Sequence, residues 1–444
     1  KFDTIENDMR KENTLAAVFS RATGALEIRI KKMTQEYLQA WWETGAALPA
    51  FFETYTPAEQ KKTEKGLSRF VENMLDYSEE YGAARDPESL DFREPIDRTR
   101  QYVKRMFTAA GIDIDDSFSN GIVRSTNTFI EKVKRFDPAM APESIYQALR
   151  NIWVMNTLQV YFGVEMGCSD SMFAYSMFYP YTDNIMDDVT TGLENKLLIC
   201  RNLKQRLEGN PYRRPAGVEQ RLDALTKLVE AEFRRDRYPG VYRALLGIYN
   251  AQIKSLIQQR QDVPPHVVDI VGISFEKGGT SVLADGYLLK GELNEAEEKL
   301  CFGLGAFLQL ADDIQDIVPD KKNHHMTLFS QSAGRWKLDA LANKLFRFIP
   351  VVVVPGAKSP QAEKLDDLFY RSFHLHIMEA VGKNSDLYSD AYIKEIQAHF
   401  PVRFSFLRKL RKKLRKVLSK QKQGGFNLDV VSAGLMALTA RVYE

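Results

Sequence analysis

The stretch FLQLADDIQDIVPD, residues 307–320, decides the fold class and the chemistry that we expect of this chain. Asp312 and Asp316 stand four positions apart, so on a helix they share one face and lie one turn from each other. Gly305 and Gln309 continue the same stripe, and the apolar residues beside it predict a helix packed in a core. Because two stacked carboxylates repel, the pair either faces open solvent or binds a cation.

A second stretch, YPYTDNIMDDVTTG at 179–192, repeats this pattern with Asp183 and Asp187, and Asp188 flanks them. A pair of this kind on its own is typical of a solvated helix end. Here it follows SMFAYSMFYPYT at 171–182, whose aromatic and methionine residues predict a helix that is buried until the aspartates begin. Two such pairs in one chain favour a binding role over a solvated end.

The ligand types of the two pairs indicate which cation they would bind. Carboxylates with no nearby His or Cys favour a hard cation such as Mg²⁺ over zinc or copper. A di-iron carboxylate bundle requires Glu-x-x-His motifs, and none of the six histidines has a glutamate three residues before it. Mg²⁺ held by a few carboxylates completes its shell with water and phosphate, so we expect a phosphate or diphosphate ligand. Tyr175 and Tyr179 would then line an apolar pocket below the carboxylates.

The composition excludes several classes of protein. The 444 residues include 61 basic and 59 acidic residues, a balance that argues against a nucleic-acid-binding chain. Three cysteines without CxxC spacing argue against a disulfide framework or a zinc site and suit a reducing compartment, so we predict a cytoplasmic protein. The apolar stretch LFRFIPVVVVPG at 345–356 is short and contains Arg347 and two prolines, which predicts a buried segment rather than a membrane span.

Helical signals cover most of the chain, strand signals are nearly absent, and the predicted fold is all-α. Thr56 with Glu59, and Asn294 with Glu297, have the spacing of helix-capping pairs. The predicted helices include 57–80, 142–163, 214–236 and 295–318, the last one stopped by Pro319.

Pro, Gly and charged residues mark breaks near 82–95, 135–144, 207–217 and 354–361. We expect an accessory N-terminal helical region over 1–140, a catalytic bundle over 141–345 and C-terminal helices over 346–444.

The C-terminal part contains a basic amphipathic segment at 403–422, with ten Lys or Arg residues and apolar residues at helical spacing. Such a helix can lie on an anionic membrane or pack its apolar stripe on the protein. We favour packing and keep peripheral membrane contact as the alternative.

The two aspartate clusters resemble those of the class I trans-isoprenoid synthase superfamily. DNIMDDVT at 183–190 looks like the first motif of squalene synthases, and YTDNIMD is similar to the same region of large bacterial class IB terpene synthases. FLQLADDIQDIVPD resembles the second motif of squalene synthases and the FQ-x-x-DD-x-x-D motif of polyprenyl diphosphate synthases. The resemblance covers about 140–345 and implies a helical bundle with a central cavity.

The resemblance also implies roles for single residues. Catalysis would depend on about three Mg²⁺ ions and a prenyl diphosphate substrate. Lys277 in the stretch Lys277-Gly278-Gly279-Thr280 resembles the diphosphate-binding lysine of a kinked helix, although the glycines are equally typical of a helix end. The metal ligands would be Asp183, Asp187, Asp312 and Asp316, with Asp188, Asp313 and Asp320 as further candidates. The pocket wall would include Met172, Tyr175, Ser176, Tyr179, Phe302, Gly305 and Gln309, for each of which core packing is an equal reading.

Three functions follow from these observations. The preferred one is a class I terpene synthase that ionises an allylic prenyl diphosphate. The alternative within the superfamily is a head-to-head prenyltransferase of the squalene synthase type, which joins two prenyl diphosphates and can require NADPH. The first motif lacks the DDxxD and paired arginines of chain-elongating enzymes, and no Ser-Arg-Ser-Phe stretch of squalene synthases is present. From another class, a non-catalytic helical module could recognise a basic partner through its acidic patches.

Overall fold

A computed structural model describes residues 24–83, 116–187, 192–260, 262–353 and 360–421. Within these ranges the chain forms sixteen α-helices, three short 3₁₀ helices and no β-strand, so the predicted all-α fold is confirmed. The helices are α1 Ala25–Glu43, α2 Pro57–Ala83, α3 Asp116–Phe136, α4 Pro142–Phe162, α5 Asp170–Asp187, α6 Leu193–Leu207, α7 Val218–Glu232, α8 Pro239–Ser255, α9 Ile270–Lys290, α10 Glu295–Gln315, α11 Ile317–Lys322, α12 Leu328–Ser332, α13 Asp339–Val352, α14 Pro360–Lys383, α15 Asp390–Ala398 and α16 Phe404–Gln421.

The antiparallel helices α9 and α10 pack against each other through glycines. A Cβ atom added to Gly278 would lie 2.3 Å from the carbonyl oxygen of Gly305, and one added to Gly305 would lie 2.1 Å from that of Gly278. Gly279 packs in the same way against the ring of Phe302. Since α9 is helical throughout these positions, the prediction of a helix end is wrong, and the predicted kink stays a prediction. The glycines instead let two backbones approach closely.

Helix α1 belongs to the same hydrophobic core as α9 and α10. Trp41 is fully buried and packs edge-on against Phe348 at a ring distance of 5.3 Å, and Tyr37 stacks on Phe302. Arg29 donates two hydrogen bonds, of 2.7 and 2.8 Å, to the buried carboxylate of Glu298. The main cluster of buried side chains extends from α1 to α16. The predicted boundaries at residues 140 and 345 stay predictions.

Several predicted helix boundaries are confirmed in detail. Thr56 and Glu59 exchange hydrogen bonds at the start of α2, and Asn294 and Glu297 do so at the start of α10. The prediction that Pro319 stops α10 is wrong. The helix ends at Gln315, and Pro319 lies in the first turn of α11, where a missing N–H costs little because it has no helical partner.

The basic segment forms helix α16, and its apolar stripe is buried where the side chains are described. Phe404, Leu407 and Leu410 are buried, and Arg411 pairs with the buried carboxylate of Glu379 on α14. The stretch at 345–353 is likewise largely buried, within and just after α13. In the described part of the chain, no helix is long and apolar enough to cross a membrane.

The glycine contact between α9 and α10 gives a testable prediction. Gly278→Ala forces its methyl group against the carbonyl of Gly305, and we expect a loss of about 1–3 kcal/mol in the free energy of unfolding, measured by urea denaturation. Gly66→Ala in α2 is the matched control, because its Cβ meets no atom within 4 Å. Removal of a helical glycine there should raise stability by about 0.5–1 kcal/mol. Equal effects of the two variants would contradict a close backbone contact.

Candidate functional site

The second aspartate pair lies at the C-terminal end of α10. Asp312 is in the last turn, and Asp316 is the capping residue that follows the last helical residue, Gln315. Their side chains are 45% and 57% exposed, so both carboxylates are accessible to a ligand. The residues beside them pack inward, and Ala311 and Ile314 are buried. The predicted division of α10 into an acidic stripe and an apolar face is therefore confirmed at this end.

Each of these two aspartates has a basic partner from another helix. The guanidinium of Arg150 on α4 donates a hydrogen bond of 2.9 Å to Oδ1 of Asp312. The ammonium of Lys383, the last residue of α14, lies 3.6 Å from Oδ1 of Asp316. Burial raises the pKa of Asp316, an effect that Lys383 opposes and Asp312 reinforces. Sequence reasoning missed both cations, because neither stands near an aspartate motif in the chain.

Asp313 differs from its neighbours because its side chain points into the core. It is 3% exposed and accepts hydrogen bonds from Gln309 at 2.9 Å and from Ser274 on α9 at 3.2 Å. Burial raises the pKa of this carboxyl to about 7. A carboxyl turned inward and held in this way cannot easily share a ligand with Asp312, so we leave it out of the candidate metal ligands. Asp320 lies in α11 and interacts with His325 and Thr327.

The first aspartate pair lies at the C-terminal end of α5. The backbone of Asp183 and Asp187 is helical, and α5 continues through Pro180 up to Asp187. The side chains of both aspartates, and the whole of Asp188, lie outside the described residues. The roles predicted for these three residues therefore stay predictions. The prediction that the helix is largely buried before the aspartates begin is confirmed, since the residues from Ser171 to Phe178 are buried.

Two tyrosines of α5 connect it to α9 one to two turns before the first aspartate pair. Tyr175 donates a hydrogen bond of 3.0 Å to the carbonyl oxygen of Ser281, and its hydroxyl accepts one of 3.0 Å from Tyr179. The hydroxyls of Tyr179 and Ser281 are 2.5 Å apart. These predicted pocket residues therefore lie together, with their hydroxyls hydrogen-bonded between the two helices.

The other predicted wall residues have clear packing roles. Phe302 is fully buried against Tyr37 and Gly279, and Met172 accepts a hydrogen bond from Gln159. Gly305 is used in the contact with α9, and Gln309 bonds to Asp313. Ser176 is buried and bonds to Asn151.

One face of α9 contacts both helices that carry the aspartate pairs. Ser274 bonds to Asp313 of α10, and Ser281 bonds to Tyr175 and Tyr179 of α5. Lys277 lies between the two serines on the same face, because positions three and four apart are neighbours on a helix. Helix α5 runs antiparallel to α9, so Asp183 lies one turn beyond Tyr179, about 6 Å further toward Ser274. The second pair flanks Asp313, which bonds to the second turn of α9, and α5 continues from Tyr179 to its aspartates in the direction of that turn.

A buried acid lies deeper along the same face of α9. Asp285 is fully buried and accepts a hydrogen bond of 2.9 Å from Asn151 of α4, while its Oδ2 has no hydrogen-bond partner among the described residues. Burial raises the pKa of this carboxyl well above its ordinary value, an effect that the hydrogen bond from Asn151 opposes. The apolar setting of Asp285 cannot be read from the sequence, where it stands in an ordinary helical pattern.

The basic stretches at 201–206 and 233–237 contain arginines that stabilise the bundle. Arg206 is buried and binds Glu230 through two hydrogen bonds and Asp223 through a third. Arg235 binds the same glutamate and two carbonyl groups at the end of α6. The partners are carboxylates and carbonyls of the protein itself, which explains these two arginines without a ligand.

Among the described side chains, which do not include those of Asp183 and Asp187, no group of three His, Cys, Asp or Glu residues could hold a metal ion. Within this part, Asp312 and Asp316 fit a hard cation, since they are accessible oxygen donors one turn apart. Comparison of the chain with family models, curated proteins and solved structures gives no match.

The burial of Asp313 gives a pH prediction. Its pKa of about 7 in the folded protein lies above the ordinary 3.8, so the folded state binds the proton more tightly. The stability that this proton binding contributes is fully present below about pH 4 and is lost as the pH rises toward 7. Relative to Asp313→Asn, the wild-type free energy of unfolding should therefore fall between pH 4 and 7, by up to about 4 kcal/mol. Parallel pH profiles from denaturant titrations would show that Asp313 is ionised in the folded protein.

Proposed function

We propose that this protein is a class I terpene synthase, which ionises an allylic prenyl diphosphate bound with Mg²⁺ between α5 and α10. The observation that carries the proposal is the face of α9 formed by Ser274, Lys277 and Ser281. It contacts the helix of each aspartate motif near its acidic end, and Lys277 stands between the two contacting serines in the helical repeat. The similarity of both motifs to those of isoprenoid synthases supports the same reading.

The proposed division of labour follows from the positions of the side chains. Asp183, Asp187, Asp312 and Asp316 would hold Mg²⁺, which when bound would neutralise the diphosphate and make it a better leaving group. Lys277, half-buried on α9, would bind the diphosphate between the two motifs. Asp313 stays in the core, where its hydrogen bond to Ser274 fixes α10 against α9.

The residues deeper in the bundle would face the hydrocarbon chain. The rings of Tyr175 and Tyr179 lie 5.4 Å apart near the carboxylate end of α5, and ring faces stabilise positive charge. Their hydroxyls are bonded to each other and to Ser281, and Tyr175 is buried, so the partly exposed Tyr179 would be the ring nearer to a substrate. Such a wall excludes water, and its shape would determine the product.

The test is to incubate the full chain with Mg²⁺ and, one at a time, geranyl, farnesyl, geranylgeranyl and geranylfarnesyl diphosphates, followed by gas chromatography and mass spectrometry. We expect a terpene hydrocarbon or alcohol from a single substrate. A product with a doubled carbon chain, especially with NADPH, would instead indicate the head-to-head prenyltransferase. If no Mg²⁺-dependent product forms, a non-catalytic helical module becomes the better reading.

Two aspartate variants link the activity to the site. Asp312→Ala removes an accessible carboxylate, and we expect turnover to fall about 100-fold or more if it binds the metal. Asp170→Asn is the matched control, because Asp170 lies in the first turn of α5, about 25 Å from Asp187, and pairs with Lys132. The control should keep wild-type turnover. Full activity of Asp312→Ala would disprove the role of the second motif.

A further inference from the structure

The two basic partners of the second aspartate pair are held in similar ways. Arg150 is followed by Asn151, whose amide donates hydrogen bonds to Asp285 at 2.9 Å and Ser176 at 3.1 Å. Lys383 is followed by Asn384, whose buried amide donates a bond of 3.1 Å to the carbonyl oxygen of Ile314. The backbone beside each cation is therefore fixed to the helices that form the site. Long surface side chains without such anchoring commonly make ion pairs of little consequence.

The two cations lie on different helices and pair with different carboxylates. Arg150 comes from α4 and Lys383 from α14, and each binds a different carboxylate of the same pair. The carboxylates carry two negative charges one turn apart, and the two cations balance them.

We propose that Arg150 and Lys383 bind the diphosphate of the substrate, and that in its absence they occupy Asp312 and Asp316 and so weaken metal binding. This inference depends on the proposed function, because it assigns further residues to the same site. A metal ion that enters alone must displace the two cations from the carboxylates, at a cost in affinity. A diphosphate that arrives with the metal supplies new negative charge to both cations, so exchange of partners leaves no charge unpaired.

The consequence is that substrate and metal bind cooperatively. The diphosphate takes Arg150 and Lys383 away from Asp312 and Asp316, which frees these carboxylates for the metal. By thermodynamic linkage, the metal must increase the affinity for the diphosphate by the same factor. The metal and the diphosphate would then both bind tightly only when they are present together.

The experiment measures binding, not turnover, on the full chain by isothermal titration calorimetry. Mg²⁺ alone, inorganic diphosphate alone and the two together are titrated into wild type, Arg150→Gln and Lys383→Gln. For both variants we expect about two- to fivefold tighter binding of Mg²⁺ alone, because the competing cation is gone. Binding of diphosphate in the presence of Mg²⁺ should become about ten- to hundredfold weaker, because a charged hydrogen bond is lost.

Two further variants control for charge and for folding. Lys290→Gln removes a lysine of similar exposure, 30% against 28% for Lys383, which pairs with Glu297 at the opposite end of α9. It should bind both ligands as the wild type does. Arg150→Lys keeps the charge and should restore part of the diphosphate affinity, and thermal unfolding shows whether each variant is folded.

The outcomes separate this inference from the proposed function. If wild type binds Mg²⁺ and diphosphate together but both Gln variants bind them equally well, the inference is wrong and the proposed function stands. The same holds if Lys290→Gln is as weak as the other two, since a general charge effect would then explain the loss. If wild type binds no diphosphate with Mg²⁺, the proposed function fails and this inference fails with it.

Discussion

The close contact of α9 with α10 is the constraint on which the rest of the candidate site depends. Two helix backbones can approach until the Cβ of one would overlap the carbonyl of the other only where both residues lack a side chain, as at Gly278 and Gly305. This contact fixes how far one helix can slide along the other. Ser274 then lies opposite Asp313, and the acidic end of α10 lies next to the first turns of α9.

Charge at this end of the bundle is balanced by residues that are distant in the chain. Asp312 and Asp316 repel each other, and a cation from α4 and one from α14 compensate for the repulsion. By contrast, the cluster of Arg206 with Glu230 and Asp223 is almost closed to solvent at the arginine. Only the first arrangement leaves its carboxylates open to a ligand. Pairs that are accessible and weak can exchange partners, whereas buried pairs mainly determine structure.

Much of the fold could be predicted from the sequence because the signals were local. The capping pairs Thr56 with Glu59 and Asn294 with Glu297 each act within four residues, and both were found as expected. Pro319 was misread because proline is tolerated in the first turn of a helix as well as after its last one. The paired glycines of α9 were misread because their reason lies on another helix, at Gly305, and a single sequence does not show which helices meet.

The same distinction applies to the candidate site, where some features depend on neighbours in the sequence and others on residues far away in the chain. The spacing of Asp312 and Asp316 placed them on one accessible stripe, while the inward turn of Asp313 depends on Ser274, 39 residues away. Arg150 lies 162 residues from Asp312 and has no motif of its own. The aspartate pair is therefore easier to find in the sequence than the basic residues that pair with it. The spacing of two aspartates indicates the kind of metal that they can bind. Their basic partners can be identified only from the packing of α4 and α14 beside α10.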